Sequence, residues 1–425
     1  MLVRGTLDIL NNYYKIDKNK KVRMIELFGG YGSQSLAMKY LGANYESYRL
    51  CEWAAKSIQA YNDVHVRDYT NYSESLTDDE VLDKLVDAGV SLDYDKPATR
   101  QELSRQDYRR IYNNIIATKD MVDVARVKGS DLGIVDKDKY EYVLSYSYPC
   151  QSLSAAGHRD NLKAEDSITE ENIYDIENRS SLLWQVGRIL DECNEINALP
   201  QVLVMENVNQ VHAKANIGNL NVWIAKLKKL GYTTKYMDLK ASELGIPQKR
   251  VRTIAISVLG DYDIKFPEPI ELKTKLYDIL QENVDEKYYL TQAQVDGVKK
   301  WKAFQKPLKE MVRMHTSQES ITLTTRSGAF AAGMVLVDDR ELANYHQSPI
   351  RYLENKTYIR HFTPTECGRL MGVASEDIKH MAEHQSDDSL YHLYGDSIVT
   401  SVLMACFGIL LDIDWKSKVY NINLY

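Results

Sequence analysis

VRMIELFGGYGSQSLAMKYLGANYESYRLCEW, residues 22–53, decides the fold. VRMIELF (22–28) is an apolar, β-prone run that breaks into glycines, as a strand entering a tight turn does. SQSLAMKYLGA (33–43) follows as a helix, and YESYRLCEW (45–53) as a second strand. Gly29, Gly30 and Gly32 let the backbone turn sharply and approach a ligand, with a helix N-terminus behind them. The turn is not a full GxGxxG, and it lacks the GK[ST] of a phosphate loop.

Working outward, the same rhythm continues. YEYVLSYSYP (140–149), VLVMENV (202–208), TTKYMDL (233–239) and VRTIAISVL (251–259) read as strands; SLLWQVGRILDEC (181–193) and NVWIAKLKKLG (221–231) read as helices. Strand–helix alternation predicts an α/β fold with a mostly parallel, doubly wound, Rossmann-like sheet. It spans residues 1–265, interrupted by a polar, helical insertion at about 69–128. From 266 to 358 the pattern loosens into Thr-rich, β-like stretches such as SITLTTRSG (320–328) and GMVLVDD (333–339), which predict a smaller second domain. Residues 359–425 return to amphipathic helix and are expected to pack back on the first domain.

Composition sets outer bounds. The 425 residues are 44% hydrophobic and 27% charged, ordinary values for a globular chain. No apolar run reaches the length of a bilayer, and the first residues do not read as a signal peptide, so a cytoplasmic protein without a membrane is expected. The net charge of −7 argues weakly against nucleic acid, although a locally basic face is compatible with it. Lys299, Lys300, Lys302, Lys306, Lys309 and Arg313 fall close together; on their own they read as a solvated helix face. Cys51, Cys150, Cys193, Cys367 and Cys406 form no CxxC pair and no zinc-type cluster, so no metal is expected and free thiols are.

Two groups of residues carry chemistry. Glu52 ends the second strand about 20 residues after the glycines, where an acid binds ribose hydroxyls, and Trp53 is placed to cover an adenine face. Together they favour an adenosine-containing cofactor without separating NAD from S-adenosylmethionine. In SYSYPCQSLSAAG, Cys150 follows a buried strand at the carboxyl edge of the sheet; Pro149 stiffens the turn, and Gln151, Ser152 and Ser154 begin a polar loop. A lone cysteine is by default a small buried hydrophobe, but this context favours a nucleophile. MENV puts Glu206 at the end of the next strand, where it and Cys150 could face one pocket. QKRVR supplies Gln248, Arg250 and Arg252, and strand alternation sends the two arginines to one side.

The series LFGGYG, CEW, YPCQSLS, MENV, QKRVR, RHFTPTECGRLMG and YGDSIV, in that order from about residue 22 to 410, resembles the DNA (cytosine-5)-methyltransferase family. RSSLLW (179–184) is similar to the bacterial members of mollicute and phage type. The resemblance implies S-adenosylmethionine as cofactor and a cytosine flipped out of double-stranded DNA as substrate. Cys150 would attack C6, Glu206 would hold the N3 and N4 edge, and Arg252, with Arg250, would bind the O2 side and support the loop. Asn207 and Gln248 would stand behind them, and Arg179 behind the cysteine loop. Phe28, Gly30 and Gly32 would line the cofactor, with Glu52 at the ribose and Trp53 at the adenine. Asp131 in GSDL matches the acid expected at the adenine amine, with Asp68 in VRDY a weaker alternative. Leu182 and the turn Asp396–Ser397–Ile398 would complete the pocket.

The resemblance further implies that residues 266–358 form a target-recognition domain, with Lys299 to Arg313 and TLTTRSG as DNA contacts. The loop from Gln151 to about Tyr174, carrying Gly157, His158, Arg159 and Lys163, is expected to close over DNA. A monomer is expected, and a cognate restriction endonuclease acting separately is compatible with this reading. A tRNA methyltransferase built on the same motifs is the rival; the long segment between QKRVR and RHFTPTE favours DNA. The chain departs from the family pattern in three places: Gly29 stands where alanine is frequent, Ser33 where glycine is frequent, and Asp396 where asparagine is usual. Asp396 lacks the amide donor of asparagine.

Overall fold

The computed structural model describes residues 12–148, 181–214, 216–291, 293–294, 313–314, 317–328, 334–336 and 356–425. Six strands form the main sheet: β1 (Lys21–Leu27), β2 (Tyr45–Cys51), β3 (Tyr140–Tyr146), β4 (Val202–Val208), β5 (Tyr232–Lys240) and β6 (Val251–Leu259). Their order is β2-β1-β3-β4-β6-β5. β1, β2, β3 and β4 run parallel, and β6 is antiparallel to both of its neighbours. The chain leaves β1 for β2 on one side and later reaches β3 on the other. The sheet therefore has a switch point at β1, where its carboxyl ends open a crevice.

Helices cover both faces. α1 (Ser33–Leu41) follows the glycine turn; α2 (Ala55–Tyr61) follows β2 and continues into a π-helical turn, Asn62–Val66. α3 (Asp78–Ala88), α4 (Arg100–Leu103) and α5 (Tyr108–Thr118) make up the insertion, and α6 (Ser181–Glu195) and α7 (Ile217–Lys229) flank β4. One face buries Met24, Leu36, Val143, Val204 and Ile256 against the C-terminal segment; the other buries Ile25, Leu144, Trp184, Leu203 and Trp223. This alternation along each strand is what a sheet packed on both sides requires. The insertion has a small core of its own, in which Ile58 and Ala55 of α2 meet Val81, Leu85, Leu103 and Ile115.

Beyond β6 come α8 (Leu276–Ile279) and a four-stranded sheet of β7 (Tyr289–Thr291), β8 (Arg313–Met314), β9 (Met334–Leu336) and β10 (Lys356–His361), ordered β7-β10-β9-β8. The chain then forms α9 (Pro364–Leu370), α10 (Ser375–His384), α11 (Asp387–Gly395), α12 (Thr400–Leu411) and α13 (Trp415–Tyr420). Thr363 and Glu366 cap α9 reciprocally, and Pro364 occupies its first turn. Glu366, fully buried, also takes a two-pronged ion pair from Arg360 at 2.7 and 2.8 Å. RHFTPTECGRLMG is thus a self-contained joint between β10 and the helices. α12 packs on α1 within the first core. Among the described residues no single helix is long and apolar enough to cross a membrane.

Candidate active site

The glycine turn takes its shape from backbone geometry. Phe28, Gly30 and Gly32 all have positive φ (58°, 56° and 80°). Only glycine adopts such angles without cost, and Phe28 is held there by its N–H donating to the Cys51 carbonyl at 2.8 Å. Gly30 donates its N–H to Glu52 Oε2 at 2.9 Å, and Ala54 donates to Glu52 Oε1 at 2.8 Å. Glu52 therefore clasps the turn to the end of β2. Opposite it, Ser397 Oγ lies 2.9 Å from Ser33 Oγ, so the Asp396–Ser397–Ile398 turn closes on the same loop. Ile398 points into the core, while Asp396 is open to solvent.

A second acid stands beside Glu52. After α5 the chain returns along β2, bridging Asp120 to Leu50. Asp120 Oδ1 accepts from Glu52 N at 2.9 Å and from Val122 N at 3.0 Å, whereas its Oδ2 is enclosed with no hydrogen-bond partner. No cation pairs with either carboxyl in these bonds. Burial pushes Glu52 up to about 7 and Asp120 up to about 8, against the backbone N–H groups that favour the charged forms. An unpaired acceptor next to a clasped glycine turn fits a ligand that brings neutral donors, such as ribose hydroxyls and an amine. Trp53 is half-buried against the insertion core, and Leu182 and Phe28 are half-buried against the second core.

A second polar cluster lies at the ends of β3, β4 and β6. β3 and β4 are parallel neighbours, with Tyr146 opposite Met205, so Glu206 sits beside the exit of β3. Across the antiparallel pair, Val208 faces Arg252 and Glu206 faces Ile254, which makes Glu206 and Arg252 diagonal neighbours on one face. Arg252 Nε meets Glu206 Oε1 at 2.9 Å, with both side chains mostly buried. Asn207 donates to the Tyr148 carbonyl at 3.5 Å, steadying the chain just before Pro149. Pro149, Cys150, Gln151, Ser154 and Arg179 lie outside the described residues, as do the loop to Tyr174 and the lysines from 299 to 309.

Arg250 and Gln248 direct their donors to backbone carbonyls. Arg250 is buried and donates to three backbone carbonyls: Leu323 at 2.9 Å, Gly395 at 3.0 Å and Ser397 at 2.6 Å. Gln248, also buried, donates to the Leu370 carbonyl at 2.7 Å and accepts from Leu323 N at 3.1 Å. Both bind the Thr-rich segment to the C-terminal helices, and Arg250 does so while lying within electrostatic reach of Arg252 and Glu206.

The structure does not bring Asp131 to Glu52. Asp131 is exposed in a 3-10 turn, Gly129–Leu132, where its carboxylate caps the Lys128 N–H at 2.8 Å. Asp68 accepts from Thr70 N and Tyr72 Oη, local contacts of a surface turn. Asp120, and not Asp131, is the acid that the structure places beside Glu52. The signal in the sequence is an acid leading an apolar stretch, DMVDV, directly after the insertion's last helix. Among the described residues no group of His, Cys, Asp and Glu could hold a metal ion.

Comparison with known proteins locates this arrangement. A family model described as C-5 cytosine-specific DNA methylase matches residues 102–411. The Type II methyltransferase M2.ScrFI of Lactococcus lactis subsp. cremoris is 30% identical over 390 residues, covering 91% of this chain and 98% of its own. The orphan methyltransferase M.SssI of Spiroplasma monobiae is 30% identical over 279 residues, 64% of this chain and 68% of its own. Among solved structures, the Dnmt2 methyltransferase of S. pombe aligns with a TM-score of 0.58 at 16% identity, over 92% of this chain and 99% of that one. The Entamoeba histolytica methyltransferase EhMeth aligns with a TM-score of 0.59 at 16% identity, over 92% and 98%. At such identity these two alignments speak to fold alone.

Proposed function

Because this chain belongs to the C-5 cytosine-specific DNA methylase family, we propose that it methylates C5 of a cytosine flipped out of a specific duplex sequence, with Cys150 as nucleophile. The observation that carries the reading is the Glu206–Arg252 pair at the carboxyl edge of the sheet, beside the strand that leads into Pro149–Cys150–Gln151. The other cysteines support it by exclusion: Cys51, Cys193, Cys367 and Cys406 are all buried. Burial pushes the thiols of Cys193 and Cys406 up to about 12 and those of Cys51 and Cys367 well above the usual range, far from thiolate at neutral pH.

The chemistry follows from the ring. C5 of cytosine is a poor nucleophile until a thiolate adds at C6, which breaks the aromatic system and leaves C5 enamine-like. Glu206 would hold the N3 and N4 edge and stabilise the charge that shifts onto N3; Arg252 would hold O2. C5 then forms its bond to the methyl group, loses its proton to a base, and the C6–sulfur bond breaks to free Cys150. The cofactor, S-adenosylmethionine, supplies when bound an electrophilic sulfonium methyl. The glycine turn with Phe28, Glu52 with the ribose, Asp120 with the adenine amine, and Trp53, Leu182 and the Asp396–Ile398 turn would hold it. The target carbon is stacked inside a duplex, so the base must leave the helix to reach the pocket.

The test is transfer of tritiated methyl from S-adenosylmethionine to mixed-sequence duplex DNA or to total tRNA, with Cys150→Ser beside the wild type. Label at C5 of cytosine in DNA, absent with the variant, is the expected result. Label in tRNA alone would move the chain to the rival substrate.

A further inference from the structure

The insertion, unassigned so far, reaches the cofactor cleft. Ser91 donates its N–H to the Trp53 carbonyl at 2.8 Å, and its carbonyl accepts from Ala55 N at 2.9 Å. The loop that follows is thus laid on the backbone immediately after Glu52. It turns tightly: Ser91 Oγ accepts from Tyr94 N at 3.1 Å, and Asp93 Oδ1 accepts from Asp95 N at 2.9 Å and Lys96 N at 3.2 Å. These bonds hold Tyr94 at φ 65°, a region a bulky side chain enters only where its surroundings over-determine it.

The consequence is a contact between segments about 300 residues apart. The Tyr94 ring stacks on His392 of α11, with centroids 3.9 Å apart and planes at 18°. The His392 carbonyl in turn accepts from Asp396 N at 3.0 Å. The enclosed Tyr94 hydroxyl lies within electrostatic reach of Glu52 and Asp396.

We infer that Tyr94 is a positioning residue for the cofactor site: its stack on His392 fixes the width of the cleft between Glu52 on one wall and the Asp396–Ile398 turn on the other. This rests on the cofactor reading above. The insertion is then a brace for the ribose side, and the ring acts through its partner and not by touching the reacting atoms.

The test measures the Kd of S-adenosylhomocysteine by calorimetry on the full chain. Tyr94→Ala and His392→Ala should each raise Kd about fivefold, in line with the energy of an aromatic pair. The double variant should be no worse than either single one, because one contact is lost in all three. Tyr94→Phe keeps the ring and should bind like the wild type. In turnover assays the cofactor KM should rise while kcat at saturating cofactor stays within about twofold. If Tyr94→Ala does not fold, Tyr94→Leu, which fills the space without stacking, is read the same way. A wild-type Kd in a folded Tyr94→Ala or Tyr94→Leu, or effects that multiply in the double variant, would overturn the inference. Glu52→Ala separates the two levels. If it loses binding while the Tyr94 variants do not, only the brace is rejected; if it too binds normally, the cofactor reading itself falls.

Discussion

The two ends of the crevice handle acidic side chains in opposite ways. At the β1–β2 end, Glu52 and Asp120 are held by backbone N–H groups and are pushed up to about 7 and 8. At the β4–β6 end, Glu206 faces the guanidinium of Arg252 at 2.9 Å. A carboxyl without a cation suits a ligand that brings neutral donors and stays unchanged in charge there. A carboxylate with a built-in counter-ion suits a ring whose charge moves during reaction. Under the proposed function, one sheet edge separates holding the cofactor from handling the base.

The sharpest way to break this division is at the nucleophile. Cys150→Ala should lower methyl transfer by at least about a thousandfold, since a nucleophile that works as part of a unit removes most of the catalysis when it goes. Its Kd for S-adenosylhomocysteine should stay that of the wild type, as calorimetry would show. Next, Glu206→Gln should cost about 100- to 1,000-fold in kcat, the scale of losing one oriented electrostatic partner, with the cofactor Kd again unmoved. A large change in cofactor binding by either variant would mean the two ends are not separate.

The cofactor end makes a prediction about pH. Glu52 and Asp120 have folded pKa values above those of the unfolded chain, so the folded protein keeps protons that the unfolded chain releases. Stability from these groups is fully present below about pH 4 and is lost as pH rises through 7 to 8. Asp120→Asn removes one of these charges, so thermal melts of the cofactor-free protein should decline less between pH 5 and pH 8. At pH 8 the variant should gain about 1–3 kcal/mol while binding cofactor more weakly. Equal pH slopes for variant and wild type would contradict the enclosed acid. An effect of similar size lies at Gly395, where a Cβ would run into the backbone of Thr324 and Thr325. Gly395→Ala should cost about 1–3 kcal/mol of stability in chemical denaturation, by overpacking the joint that Arg250 holds.

Much of the sheet was legible because β1, β3, β4 and β6 are largely buried and read as near-continuous apolar runs. The reversal of β6 was not, since an apolar run carries no sign of direction. The clasp of Glu52 on the glycine turn follows from its place at the end of β2, next to β1. Asp120 was hidden for a different reason: 68 residues and a helical insertion separate it from Glu52, and only the tertiary return of the chain joins them. Alternation along QKRVR places Arg250 within electrostatic reach of Arg252 and Glu206, but it does not show which groups Arg250 binds. Its three carbonyl partners, at Leu323, Gly395 and Ser397, come from segments that only the tertiary fold brings to β6.

A covalent bond between Cys150 and the target ring can be read directly with duplex DNA carrying 5-fluorocytosine in place of cytosine. Fluorine cannot leave C5 as a proton does, so the adduct formed after methyl transfer cannot release the enzyme. Incubated with this DNA and S-adenosylmethionine, the wild type should migrate as a covalent protein–DNA complex on a denaturing gel, and Cys150→Ser should run free. A wild type that methylates ordinary DNA but forms no trapped complex, or a Cys150→Ser variant that is trapped as well, would contradict the account.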